Sequence, residues 1–155
     1  MHARVGAALE IRPAAEADQR FAVQLGELAF GEFDPHAGRT TAGLLREVGA
    51  ETLIALVGNE PAGFVVLGGT SARVVHVNAI AVAPNQRGKG IGQRLMQDAE
   101  RHARRSGAKR LSLHTAQANL AALSLFLRCG FSITERDASG YSKPQPTCRL
   151  EKPLR

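Results

Sequence analysis

The stretch best equipped for chemistry is Ile80-Ala81-Val82-Ala83-Pro84-Asn85-Gln86-Arg87-Gly88-Lys89-Gly90-Ile91-Gly92-Gln93. An apolar run enters it, Gly88, Gly90 and Gly92 fall close together, and an amphipathic run leaves it. Glycines let a backbone approach a ligand closely and turn successive N–H groups the same way. The first four N–H groups of a helix lack internal partners, so a helix opening here can hold phosphate. Arg87 and Lys89 add full positive charges beside it. Two phosphate patterns fail on their residues. A P-loop needs Ser or Thr after the Gly-Lys pair, but Lys89 is followed by Gly90. A dinucleotide loop built on Gly88 and Gly90 needs Gly or Ala where Gln93 stands. A tight turn without a ligand is the plain alternative, and it needs fewer glycines.

Other reactive side chains are sparse. Asn119 stands where an apolar helical run begins, which is the place of an N-cap. Cys129 and Cys148 are too few for a disulfide framework, and no Cys/His cluster has zinc spacing, so no metal is expected. Cys129 precedes a helix-ending glycine and has no His/Asn partner in sequence, which argues against a cysteine nucleophile.

The elements that must position these groups follow from periodicity. Leu9 to Arg12 is a short strand stopped by Pro13, and Ala15 to Ala29 a helix with Phe21, Leu25 and Leu28 on one face. Gly31 to Arg39 is a loop, and Thr40 or Thr41 caps a second helix carrying Leu44, Leu45 and Val48. Thr52–Val57 and Ala62–Leu67 flank a turn signal and form a hairpin. Arg73 to Val82 is a long strand. Ile91, Leu95, Ala99 and Ala103 then mark one face of a helix that Gly107 ends. A strand at Leu111–Thr115, a helix at Ala118–Cys129, and strands at Phe131–Glu135 and Thr147–Leu150 complete the chain. This is an α/β pattern: an antiparallel meander, then a β-α-β unit with parallel strands.

A length of 155 residues fits one domain spanning 1–155, with 44% hydrophobic and 22% charged residues giving a globular profile. No run reaches the ~18 apolar residues of a membrane span, and the N-terminus is a poor signal peptide, so a cytoplasmic, reduced protein is expected. The net charge of +6 invites a polyanionic partner. Much of it crowds between Arg87 and Arg110, yet no aromatic residue lies between Gly68 and Leu125 to interleave with it. Nucleic-acid binders usually supply such stacking rings.

The glycine stretch resembles the acetyl-CoA signature of the GCN5-related N-acetyltransferases, the GNAT family: Arg87, Gly90 and Gly92 fit Arg/Gln-x-x-Gly-x-Gly/Ala, with Val82 and Pro84 as the usual entry. Asn119, Ala122, Phe126, Gly130 and Phe131 match the family's second motif at every offset. The resemblance implies an α/β (α+β) fold, a mixed six- or seven-stranded sheet flanked by helices and splayed between its fourth and fifth strands. It implies acetyl-CoA as cosubstrate, held by Ile80, Ala81, Val82, Arg87, Gly88, Lys89, Gly90, Ile91, Gly92, Gln93, Asn119 and Phe126. The reaction implied is direct attack by an amine on the thioester in a ternary complex, in a monomer or homodimer. The acceptor, framed by Gly31–Arg39 and Asp137–Pro146, is a small-molecule or peptide amine, with no nucleic acid or membrane partner.

The chain departs from the family where protons move. Many members carry a Tyr at the position of Phe126, and its hydroxyl protonates the leaving thiolate; Phe126 has no proton to give. The common Glu of the fourth strand is replaced by Asn78, and an alternative Glu site is occupied by His114. His114 is therefore the first candidate base, with an acidic limb near about pH 6–7, and His76 is the second. A water relay from Glu32 or Asp34 is a further route. Two other classes of function remain open: an acyl-CoA-binding regulatory module without turnover, and a basic nucleic-acid-binding domain.

Overall fold

The computed structural model describes residues 8–69, 73–136 and 145–155. In chain order the elements are β1 (Leu9–Pro13), α1 (Gln19–Phe30), α2 (Ala37–Arg46), β2 (Glu51–Val57), β3 (Glu60–Leu67), β4 (Val74–Val82), α3 (Ile91–Arg105), β5 (Arg110–Ala116), α4 (Leu120–Arg128), β6 (Ser132–Arg136) and β7 (Thr147–Pro153). The strands form one seven-stranded sheet in the order β1-β2-β3-β4-β5-β7-β6. Among the described residues only β4 and β5 pair in parallel, as a β-α-β connection through α3 requires. The β2–β3 hairpin turns on Gly58 and Asn59, both at positive φ (57° and 71°). Gly and Asn are the residues that tolerate this conformation best.

Two cores cover the two faces of the sheet. One gathers Val65, Leu67, Val75 and Val77 with Ile91, Leu95 and Ala99 of α3 and Phe126 of α4. The other gathers Phe64, Val66, Ala79 and Ala81 with Ala22 and Leu25 of α1, and α2 leans on it through Leu44 and Leu45. Along β4 the odd-numbered residues thus change face between Val77 and Ala79. A β-bulge causes this: Leu67 pairs with Val77 and Val66 with Ala79, leaving Asn78 unmatched. Beyond the bulge, Ile80 and Val82 turn towards the α3 side.

The α1–α2 region differs from the sequence expectation. A 3-10 turn at Glu16–Asp18 precedes α1, because Asp18 accepts from Ala15 N–H at 2.7 Å and from Arg12 Nη1 at 2.8 Å. Helix α2 begins at Ala37, so the loop is shorter than Gly31–Arg39. Neither Thr40 nor Thr41 caps it. Asp34 holds its start, accepting from His36 N–H and from Thr40 Oγ1, each at 2.8 Å. Thr41 is buried against Gly26, where a Cβ on the glycine would collide with its side chain. Val48 lies beyond the helix and is 95% exposed, and Leu28 is 64% exposed rather than on α1's core face. Among the described residues no helix is long and apolar enough to cross a membrane.

Helices α3 and α4 and strand β7 meet at one polar contact. Lys152 Nζ reaches Glu100 Oε2 at 2.6 Å and the Cys129 carbonyl at 2.7 Å. It therefore neutralises a buried carboxylate and caps the C-terminal end of α4 together. Arg104 adds a longer contact to Glu100 at 3.5 Å. Lys152→Met should destabilise the protein towards the lower end of the ~3–5 kcal/mol seen when one partner of a buried pair is removed, since Arg104 remains. The double variant with Glu100→Met should recover much of that loss, which urea denaturation measures.

Candidate functional site

Strands β4 and β5 pair over only three residues each, Val74–His76 with Arg110–Ser112, and then part. From Val77 to Val82, β4 pairs among the described residues with β3 alone, so one edge of its backbone faces the gap. A cleft of about 920 Å³ occupies this parting and is lined from both faces of the sheet. Its size is that of a small-molecule or cofactor site.

On the α3 side the glycine loop forms the wall. Gly88 and Gly90 sit at positive φ, 77° and 80°, with no atom within 4 Å of where a Cβ would be. Gly90 is the N-cap of α3 in left-handed conformation, with no side chain closing the helix end. Arg94 N–H is the first amide to bond back, to the Gly90 carbonyl at 3.0 Å. The amides of Ile91, Gly92 and Gln93 in the first turn thus lie free for an anion. Gly92 serves packing instead: a Cβ there would meet Leu125 Cδ2 of α4 at 3.1 Å. Arg87 Nε donates to the Val82 carbonyl at 3.1 Å, tying the loop to the strand end.

Helix α4 supplies the adjoining wall. Asn119 is its N-cap, with Oδ1 accepting from Ala122 N–H at 3.2 Å. That leaves the Asn119 amide to face the cleft. Phe126 is buried, and its ring lies 6.0 Å from that of Phe131. Arg128, at the helix end, also borders the cleft and donates to Ser124 Oγ at 3.0 Å.

The two histidines belong to the other side. Leu111 and Leu113 point to the α3 core, so His114 between them and Ala116 faces α1 and α2, as does His76 ahead of the bulge. Arg149 Nε donates to His114 Nε2 at 3.3 Å, and Arg149 Nη1 reaches Glu135 at 3.8 Å. Burial first, then the charge of Arg149, lowers the His114 pKa below its ordinary 6.5. The imidazole is thereby held neutral. Burial pushes the Cys129 and Cys148 thiols up, which suits cysteines that do no chemistry.

Most of the residues singled out in the sequence line this one cleft: Ile80, Val82, Arg87, Gly88, Gly90, Ile91, Gly92, Gln93, Asn119, Phe126, His76 and His114. Ala81 and Lys89 do not. Ala81 packs in the α1-side core, and Lys89 Nζ is held by Gln86 Oε1 at 3.0 Å. Of the acidic loop, Asp34 is engaged at the start of α2, while Glu32 is exposed at the cleft. Most of the proposed Asp137–Pro146 frame lies outside the described residues, although Gln145 Nε2 donates to the Phe33 carbonyl at 2.7 Å. The sequence analysis did not single out Phe30, Phe33 and Leu44, whose apolar side chains line the cleft together. The basic stretch is partly compensated: Asp98 pairs with Arg101 at 2.7 Å and with Arg94 at 3.7 Å, and Arg110 pairs with Glu151 at 3.7 Å.

The profile of the Acetyltransferase (GNAT) family matches residues 16–131. An uncharacterized N-acetyltransferase of Bacillus subtilis, YvbK, is 36% identical over 87 residues, 56% of either chain. Streptothricin acetyltransferase of Streptomyces lavendulae is 40% identical over 65 residues, 42% of this chain and 34% of that protein. The chain thus aligns with about half of the first relative and a third of the second. A Bacillus subtilis acetyltransferase solved in complex with CoA superposes with a TM-score of 0.76 at 27% identity, covering 96% of this chain and all of that one.

The loop geometry yields a test. Gly90→Val has room for its side chain but not for its backbone, since a β-branched residue strongly disfavours φ of 80°. It should stay folded yet lose at least about tenfold in CoA affinity, the equivalent of ~1.4 kcal/mol. Gly92→Ala should instead lower the melting temperature by displacing Leu125. Calorimetric titration with CoA and a thermal melt separate the two effects.

Proposed function

The chain belongs to the acetyltransferase (GNAT) family, and from that premise we propose that it is an N-acetyltransferase that moves an acetyl group from acetyl-CoA to a primary amine by direct attack in a ternary complex. The observation that carries this reading is the cleft through the sheet, with an anion-binding loop on one side and two histidines on the other. An N-terminal helix end with free amides, flanked by Arg87, suits a pyrophosphate. The unpaired edge of β4 from Val77 to Val82 suits an extended amide-bearing arm, taken up as an added strand. The family relative solved with CoA supports the same assignment. When bound, the cosubstrate supplies an acyl thioester already activated towards amines.

The rest falls to this chain's residues. The loop amides, Arg87 and Asn119 bind and orient; the walls of Phe126 and Leu125 exclude water. Orientation of two reactants alone accounts for up to ~7–11 kcal/mol of barrier. A general acid or base adds about 10²–10⁴-fold in rate, so absence of a hydroxyl at Phe126 leaves room for turnover. His114 is the base in this reading, and His76 the second candidate. Its neutral form is favoured, as a base requires, but Nε2 must release the Arg149 hydrogen bond to take a proton. Glu135, already paired with Arg149, retains that guanidinium when it turns away. The acceptor proposed is a small-molecule amine, in keeping with the relative named for streptothricin. A second reading, acyl-CoA binding without turnover, is favoured by one feature, the lack of a proton donor at Phe126.

Two results separate these readings. Acetyl-CoA should raise the melting temperature by mass action under both. Release of free thiol in the presence of amines belongs to the enzyme alone, and its absence across a broad amine panel would leave the binding module. For the base, the sign is fixed by the lowered His114 pKa. A base must be neutral, so the acidic limb of kcat/KM should lie below pH 6.5. His114→Gln should flatten that limb and lower turnover by about 10²-fold while CoA affinity holds. A folded His114→Gln protein with an unchanged profile passes the role to His76.

A further inference from the structure

Where β4 and β5 still pair, one register row carries polar side chains on three neighbouring strands. His76 of β4 stands opposite Ser112 of β5, and Ser112 stands opposite Glu151 of β7. The preceding pair, Val75 and Leu111, lies in the α3-side core, so strand alternation puts His76 and Ser112 together on the other face. Glu151 shares that face, because Leu150 beside it belongs to the α3-side core. Adjacent strands run about 4.8 Å apart, which brings register neighbours on one face within reach of a hydrogen bond through a hydroxyl. Ser112 is 1% exposed, and its Oγ has no hydrogen-bond partner. A buried hydroxyl left unpaired costs stability, and Ala would fill the same place without that cost. Thr147 Oγ1 is also unpaired, but it stands opposite Ala116, whose methyl group offers it nothing. Ser112 instead lies between an imidazole and a carboxylate. Of the charged groups around this row, Arg110 lies 3.7 Å from Glu151, and the next row on the same face holds His114, Arg149 and Glu135.

We infer that the Ser112 hydroxyl positions His76 to accept the proton that the amine gives up. The count of donors and acceptors fits one arrangement. A neutral imidazole has a single N–H. Donated to Ser112 Oγ, it fixes the tautomer and leaves the other ring nitrogen with a free lone pair. The hydroxyl then donates its own hydrogen to Glu151, whose carboxylate only accepts. His76 borders the cleft, so the nitrogen kept free is the one that can serve as a base there. On His114, by contrast, Arg149 holds Nε2. The inference rests on the acetyltransferase reading and gives its second histidine a fixed tautomer. Ser112 is buried away from the cleft lining and acts only through His76.

The tautomer is measured directly by long-range proton–nitrogen NMR on the isotope-labelled full chain, at about pH 8.5, where an ordinary imidazole is neutral. His76→Gln identifies the His76 signals. One tautomer of His76 should predominate, and Ser112→Ala should reduce its ratio to the other by at least about threefold, the worth of one hydrogen bond. Ser112→Thr, which keeps the hydroxyl, should lie nearer the parent. Thiol release with acetyl-CoA and an amine reads the consequence. Ser112→Ala made in the His114→Gln protein should lower the remaining kcat by a similar factor, with the KM for acetyl-CoA unchanged. A tautomer ratio unaltered in a folded Ser112→Ala protein would overturn the inference, and so would an unaltered kcat in the double variant. A ratio that moves in a protein releasing no thiol with any amine would leave the hydrogen bond standing and overturn the transferase reading instead.

Discussion

Everything at the site depends on β4 pairing with β5 for three residues and no more. A sheet that stayed paired would bury the backbone of Val77–Val82 in hydrogen bonds and leave no passage between its faces. The parting exposes a strand edge inside the protein, which is ordinarily a liability because unpaired N–H and C=O groups demand partners. Here that demand becomes a binding property. The edge, the open first turn of α3 and the capped start of α4 all present polar backbone to the same space.

The bulge at Asn78 decides which side chains share that space with the edge. It leaves His76 on the α1 side while turning Ile80 and Val82 to the α3 side. The cleft thus has one wall of glycines, amides and arginines and another of histidines, carboxylates and apolar rings. These two chemistries meet at the gap between the strands. Gly68 takes part as well: a Cβ there would collide with the Asn78 amide, so the bulge residue needs the glycine just past the end of β3.

Packing holds the walls at their spacing. Gly26 lets Thr41 seat directly against α1, which fixes where the loop between α1 and α2 sits. Gly92 does the same for Leu125, bringing α4 against the start of α3. Lys152 then ties the far end of α4 to Glu100 of α3. Glycine in this chain has two distinct uses, therefore: left-handed backbone at Gly88 and Gly90, and close helix approach at Gly26 and Gly92.

The sequence by itself determined most of the elements and the glycine-loop side of the cleft. The spacing of Ile91, Leu95, Ala99 and Ala103, the glycines after Val82, and Asn119 ahead of its apolar run are local signals, each read within a turn or two of chain. Their outcome, α3 with an open N-terminus and α4 with an asparagine cap, required nothing distant. The α1 and α2 side was different. That Leu28 faces the cleft and that Arg149 sits on His114 are consequences of segments far apart in sequence. The bulge is the sharpest case. Val77, Asn78 and Ala79 read as uninterrupted strand, and only the register imposed by β3 leaves Asn78 unmatched. Alternation along one strand is a local rule, but which face each residue meets is set by its neighbour, and so the partition of the site into two walls belonged to the tertiary structure.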